Sequence, residues 1–247
     1  MRVLVLGGSS EASALARALA GRGGVEALLS LAGATKSPAP SPIPRRIGGF
    51  GGAAGLAGFL REGRYGRLVD ATHPFAARIS ANAAQAAREA GVDHAIFTRG
   101  EWLPGPGDHW REVDAIEAAL AALGPARKRV LLAVGGAGLD ALARDDRHDW
   151  IVRSIDRPVA SPPGARWIEG RPPFALDDEI ALFRALRVET VLCKNSGGAA
   201  TRAKLDAARA LGIPVVMLRR PALPEGVRVF HALDEVLAHL GLHAASP

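Results

Sequence analysis

Val3-Leu4-Val5-Leu6-Gly7-Gly8-Ser9-Ser10-Glu11-Ala12 is the stretch on which the fold turns, an apolar run that breaks on paired glycines and resumes as a helix. A buried parallel strand is continuously apolar, and residues 1–6 are apolar apart from Arg2. Gly7 and Gly8 permit a sharp turn and close backbone approach to a ligand, and Ser9 or Ser10 caps a helix that runs through Leu15 and Leu19 to Gly21. A strand, a glycine turn and a helix N-terminus in series make an edge at which a phosphate can bind. The G-x-G-x-x-G/A fingerprint is only partly present: Gly7 and Ala12 fit, while Ser9 stands where the second glycine belongs. An ordinary tight turn before a helix is therefore the alternative on this stretch alone.

The same grammar recurs along the chain. Strands are expected over 25–31, 67–71, 94–98, 129–134, 150–155, 190–193 and 214–218, and helices over 53–60, 78–90, 114–123, 139–144, 176–186, 199–211 and 233–240. Alternating strands and helices with glycine-rich strand exits predict an α/β protein: two Rossmann-like domains with parallel sheets and a ligand cleft between them. The helix stop at Gly124-Pro125 sets the expected boundary, giving domains 1–125 and 126–247.

Chemistry concentrates at the strand exits. No acid occurs between Leu28 and Arg61, where an NAD-specific unit carries one for the ribose hydroxyls, while Thr35, Lys36, Arg45 and Arg46 do occur. That favours NADP over NAD for a bound dinucleotide; a solvated basic loop is the alternative. Residues 45–52 place four glycines just before a helix, as a second ligand-edge loop would. The third strand exits through Asp70-Ala71-Thr72-His73-Pro74-Phe75, which would face the same space as Gly7 and Gly8. In the second half, Lys194-Asn195-Ser196-Gly197-Gly198 again puts a basic residue and a glycine turn at a strand's end.

Composition narrows the function classes. There are 31 Lys and Arg against 25 Asp and Glu, a net charge of +6, which favours an anionic partner. The basic residues are scattered and aromatics make up only 5%, which argues for a polyanionic small molecule rather than a nucleic acid. The opening apolar run is far too short to span a bilayer or serve as a signal peptide, so no membrane association and a cytoplasmic location are expected. The single cysteine, Cys193, sits in an apolar run and is expected to be a buried core thiol. His231, His239 and His243 lack the spacing and acidic neighbours of a metal site, and no metal is expected.

Taken together, Leu6-Gly-Gly-Ser-Ser-Glu-Ala, Arg46-Ile-Gly-Gly-Phe-Gly-Gly, Asp70-Ala-Thr-His-Pro-Phe-Ala with Ile79-Ser-Ala-Asn-Ala, Arg99 with Trp102, Lys194-Asn-Ser-Gly-Gly with Lys204-Leu, and Arg220-Pro221 resemble the precorrin-6A reductase family of cobalamin biosynthesis over nearly the whole length. Two positions depart from the family pattern: Ser9 replaces a threonine, and the Gly135-Gly136 turn lacks polar residues. The resemblance implies hydride transfer from NADPH to a double bond of the precorrin-6A macrocycle, giving precorrin-6B. It implies a cofactor site of Gly7, Gly8, Ser9, Ser10 and Glu11, with Thr35 and Lys36 near the 2′-phosphate and Thr72, His73, Pro74 and Phe75 at the nicotinamide. Arg99, Arg153, Lys194, Asn195, Ser196, Gly197, Gly198 and Arg220 become the expected contacts to the polyanionic tetrapyrrole, His73, Lys194 or an ordered water the expected proton donor, and other enzymes of the pathway the expected recipients of product.

A cobalt-precorrin-6A reductase stays open as an alternative, since both branches of the pathway use related reductases, and two further rivals are weaker. Another NADP-dependent reductase would be expected to show a Tyr-x-x-x-Lys or a similar acid-base pair, and the one tyrosine, Tyr65, has no lysine four residues on. A non-catalytic nucleotide or anion sensor would not need polar strand exits in both halves.

Overall fold

A computed structural model describes residues 1–33, 40–135, 139, 142–157 and 161–242. In chain order the elements are β1 (Arg2–Leu6), α1 (Ser10–Leu19), β2 (Glu26–Leu31), β3 (Arg45–Ile47), α2 (Ala53–Glu62), β4 (Arg67–Asp70), α3 (Ala77–Ala90), β5 (Asp93–Phe97), β6 (Trp110–Val113) and α4 (Ile116–Leu123). They continue as β7 (Arg129–Ala133), β8 (Asp149–Ser154), β9 (Arg166–Glu169), α5 (Leu176–Leu186), β10 (Thr190–Lys194), α6 (Ala203–Ala210), β11 (Val215–Leu218), β12 (Arg228–Phe230) and α7 (Leu233–His239). The short helix expected over 139–144 lies partly outside the described residues.

The strands form two six-stranded sheets, ordered β12-β5-β4-β1-β2-β3 and β6-β11-β10-β7-β8-β9, with every pairing parallel. Read from its third strand, each follows the doubly wound order 3-2-1-4-5-6. The sixth place is filled crosswise: β12 from the end of the chain completes the first sheet, and β6 from the first half completes the second. The compact units are accordingly 1–100 with 221–247, and 101–220. They differ from the halves expected about residue 125 because β6 finds its hydrogen-bonding edge on β11, while the open edge of β5 is taken by β12.

Within the first unit the two faces of the sheet are buried separately. Side chains alternate along a strand. Val3 and Val5 pack with Leu15 and Leu19 of α1 and Val236 and Leu237 of α7, whereas Leu4 and Leu6 pack with Leu56 and Leu60 of α2 and Ala83 and Ala87 of α3. In the second unit Leu131, Val191, Cys193 and Met217 pack under Phe183 of α5 and Leu205 of α6. Cys193 is fully buried there, and burial pushes its thiol pKa up. None of the helices in the described residues is long and apolar enough to cross a membrane.

Candidate functional site

Because all strands of the first sheet run the same way, the exits of β1, β2, β3 and β4 come to one edge, as parallel sheets bring ligand loops together. They enclose a cavity of about 620 Å³, within the ordinary range of small-molecule sites. Gly7 is fixed by packing, since a Cβ there would lie 2.5 Å from Leu29 Cδ1. Gly8 has no heavy atom within 4 Å of the place a Cβ would take, so its backbone borders open space. Ser9 caps α1 by accepting from the Ala12 N–H at 3.1 Å, and its hydroxyl donates to the Ala71 carbonyl at 2.6 Å. That hydroxyl ties the β1 exit to the β4 exit.

The loop after β3 is held from beneath by Arg46. Its guanidinium donates to Ser30 Oγ and the Gly48 carbonyl, each at 2.9 Å, and to the Gly49 carbonyl at 3.0 Å, while lying 4.1 Å from the centre of the Phe50 ring. The loop then meets α2 so closely that a Cβ on Gly55 would stand 1.7 Å from the Phe50 carbonyl oxygen. Neither α2 nor α3 has a side-chain cap on its first turn, and their N-cap residues, Gly52 and Ala76, both line the cavity. Two helix ends with partial positive charge therefore open on it.

At the β4 exit Asp70 Oδ1 accepts from the Thr72 N–H at 3.0 Å and from its hydroxyl at 2.7 Å. His73 Nδ1 accepts from the Phe75 N–H at 3.2 Å, so in the neutral ring the hydrogen sits on Nε2. Of the expected cofactor residues, Gly7, Gly8, Thr72 and His73 line the cavity. Pro74 and Phe75 shape the turn beside it. Ser10 donates to the Glu11 carboxylate, and Glu11 is paired with Arg99 at 2.6 Å, so these three answer one another. Burial raises the Glu11 pKa, but the Arg99 charge and the hydrogen bonds outweigh it and leave the carboxyl below its usual range. Thr35 and Lys36 lie outside the described residues. Both Arg78, which sequence reading did not place with the ligand loops, and Asn82, for which it left a structural role and a ligand contact equally open, line the cavity. Their i,i+4 spacing just after the β4 exit was the available signal.

In the second unit the β10 exit is built around Trp102. Asn195, 1% exposed, accepts from the Trp102 N–H at 2.9 Å and donates to its carbonyl at 3.0 Å. The indole N–H donates to the Gly198 carbonyl at 2.8 Å, and Lys204 Nζ lies 4.5 Å from the ring centre. Arg220 donates to the Asn195 carbonyl at 2.8 Å and stands 4.0 Å from Glu101. Ser196 donates its N–H to the Lys194 carbonyl at 2.7 Å. Lys194 is half buried, and burial lowers its ammonium pKa. Two expected substrate residues have partners inside the protein. Both ends of the Asn195 amide are bonded to Trp102, and Arg153 is buried in an ion pair with Glu179 and stacked 4.3 Å from the Phe174 ring centre. Among the described residues no group of three or more His, Cys, Asp or Glu is placed to hold a metal ion.

Doubly wound sheet order and a glycine-lined cavity at the carboxyl ends of the strands define a Rossmann-like α/β protein with a small-molecule site. The family model described as "Precorrin-6x reductase CbiJ/CobK" matches residues 2–241, and the chain belongs to that family. It is 46% identical over 241 residues to the precorrin-6A reductase of Rhodococcus erythropolis, covering 97% of each chain. To the precorrin-6A reductase of a Sinorhizobium species it is 46% identical over 239 residues, covering 96% of this chain and 91% of the other. A solved structure described as "CobK precorrin-6A reductase" superposes with a TM-score of 0.90 at 42% identity, covering 98% of both chains.

Proposed function

We propose that this chain reduces precorrin-6A to precorrin-6B with NADPH, in the cytoplasm. The observation that carries the proposal is the cavity at the β1–β4 exits, found in a chain that belongs to a reductase family. A nicotinamide nucleotide fits what the cavity offers: bare backbone at Gly8, two helix N-termini for a pyrophosphate, and apolar walls from Leu6, Leu31, Ile47 and Phe50 for planar rings. The β2 exit, residues 30–33, brings no acid that would repel a 2′-phosphate. When bound, the nucleotide supplies the hydride.

The protein's own task is alignment, exclusion of water and placement of a proton. His73 offers an Nε2–H at the β4 exit, where it would orient the nicotinamide amide or protonate the carbon next to the one that receives the hydride. Lys194 is the second candidate, because an ammonium whose pKa is lowered by burial gives up its proton more readily. Lys194, Arg220, Ser196 and the glycines 197 and 198 are the proposed partners of the substrate's carboxylates, and the chain's net charge of +6 favours the approach of a polyanion. Product would pass to later enzymes of the pathway.

Titration of the purified chain with NADPH and NADH tests the cofactor assignment. Much tighter NADPH binding is expected; equal affinities would contradict the 2′-phosphate site.

A further inference from the structure

Among the described residues that line the cavity of the first unit, Arg78 alone carries a formal charge. The residue is exposed, and its side chain makes no hydrogen bond or ion pair with the described residues. Arg46, under the glycine loop, and Arg99, paired with Glu11, are engaged within the protein.

Its position is costly for the free protein. Arg78 lies in the first turn of α3, at the positive end of a 14-residue helix, and that turn contains no acidic residue. A cation there opposes the helix dipole, where an acid would be favoured. A residue that breaks a local rule without an internal compensation is expected at a functional site. Asn82, one turn on, shares the face of α3 that borders the cavity and brings an amide able to donate or accept. An anion in the cavity would resolve the conflict by meeting the guanidinium and the ends of α2 and α3 together.

We propose that Arg78 binds a phosphate of the nucleotide, with Asn82 beside it as a hydrogen-bonding partner. This inference rests on the nucleotide assignment above. The guanidinium fork suits a phosphate, and its solvent-exposed stem lets it close over the ligand after entry. A phosphate of a dinucleotide has two sources, the pyrophosphate bridge and the 2′-phosphate, and the two ligands used below separate them.

The test measures dissociation constants of NADPH and NADH for the wild-type chain and for Arg78→Gln and Arg78→Lys, with thermal melting of each in the absence of nucleotide. Arg78→Gln should weaken NADPH by about tenfold or more, and Arg78→Lys by less, because a lysine keeps the charge but not the fork. Loss of NADPH affinity alone assigns the 2′-phosphate; equal losses for both nucleotides assign the pyrophosphate. Melting of Arg78→Gln without nucleotide should match or exceed the wild type, since an unfavourable charge is removed from the helix end. A wild-type chain that binds NADPH, joined to an Arg78→Gln chain that binds it within about twofold as tightly, would overturn the role of Arg78 and leave the cofactor assignment standing. A wild-type chain that binds neither nucleotide would instead remove the cofactor assignment itself.

Discussion

Replacing Asn195 by Leu tests whether the β10 exit is built by Trp102 or shaped for substrate. The side chain is 1% exposed, its Oδ1 takes the Trp102 N–H at 2.9 Å, and its Nδ2 gives to the Trp102 carbonyl at 3.0 Å. Leucine has similar bulk and no polar atom, so both Trp102 backbone groups would be left buried without partners. Each such group costs about 1–3 kcal/mol, so the loss should be about 4 kcal/mol. For a chain of this size that corresponds to a fall in Tm of about 8–16 °C. Asn195→Asp should be damaging too, because the carboxylate still accepts from the N–H but sets a negative charge against the carbonyl. The assay is thermal melting by circular dichroism, joined to nucleotide binding and substrate KM measured well below the melting range. The expected result is a large drop in Tm with the NADPH dissociation constant unchanged. An unaltered Tm with a raised KM would refute the structural role and return Asn195 to the substrate.

Gly55→Ala should be damaging although Gly to Ala in a helix ordinarily stabilises by about 1 kcal/mol, because the new Cβ would sit 1.7 Å from the Phe50 carbonyl oxygen and displace the loop beneath the cavity. Gly58→Ala in the same helix meets nothing within 4 Å and should stabilise, so equal effects at the two positions in melting and NADPH titration would contradict the account of the loop. Arg153→Met leaves the Glu179 carboxylate buried without its charge partner and should cost about 3–5 kcal/mol in chemical denaturation; wild-type stability with weakened substrate binding would return Arg153 to the substrate contacts. The Glu11 carboxyl, held below 4.5 in the folded chain, contributes stability that is fully present above that pH and is lost as pH falls through the folded value. Glu11→Gln should therefore flatten the acid limb of a Tm-against-pH profile, and an unchanged limb would show that the pair with Arg99 does not contribute.

The interior strands were legible because they are apolar throughout: Val3, Leu4, Val5 and Leu6 of β1, or Val215 to Leu218 of β11, leave little choice but burial between helices. The four strands that sequence reading missed, β3, β6, β9 and β12, are the four outer edges of the two sheets. Arg-Arg-Ile and Trp-Arg-Glu-Val carry the charges and exposure of edge strands, and their pairing is decided by a neighbour distant in the chain. The crosswise exchange of β6 and β12 followed from the same blindness, since nothing local in residues 110–113 names β11 as partner. At the site, Gly7, Gly8, Thr72 and His73 were legible because turn chemistry at a strand exit is local. The internal partners of Arg153 and Asn195 were not legible, because a cation or amide near a strand's end looks the same whether it faces a ligand or a neighbour such as Glu179 or Trp102. Arg78 escaped notice for the opposite reason, lying inside a helix whose first turn happens to border the cavity.

The most direct measurement is the oxidation of NADPH, followed by its near-ultraviolet absorbance, when the purified chain is mixed with precorrin-6A, with cobalt-precorrin-6A and NADH as parallel trials. NADPH should be consumed with precorrin-6A in step with formation of precorrin-6B, and NADH should be a poor substitute. A chain that binds NADPH and the tetrapyrrole yet consumes no nucleotide in any pairing would contradict the proposed reductase.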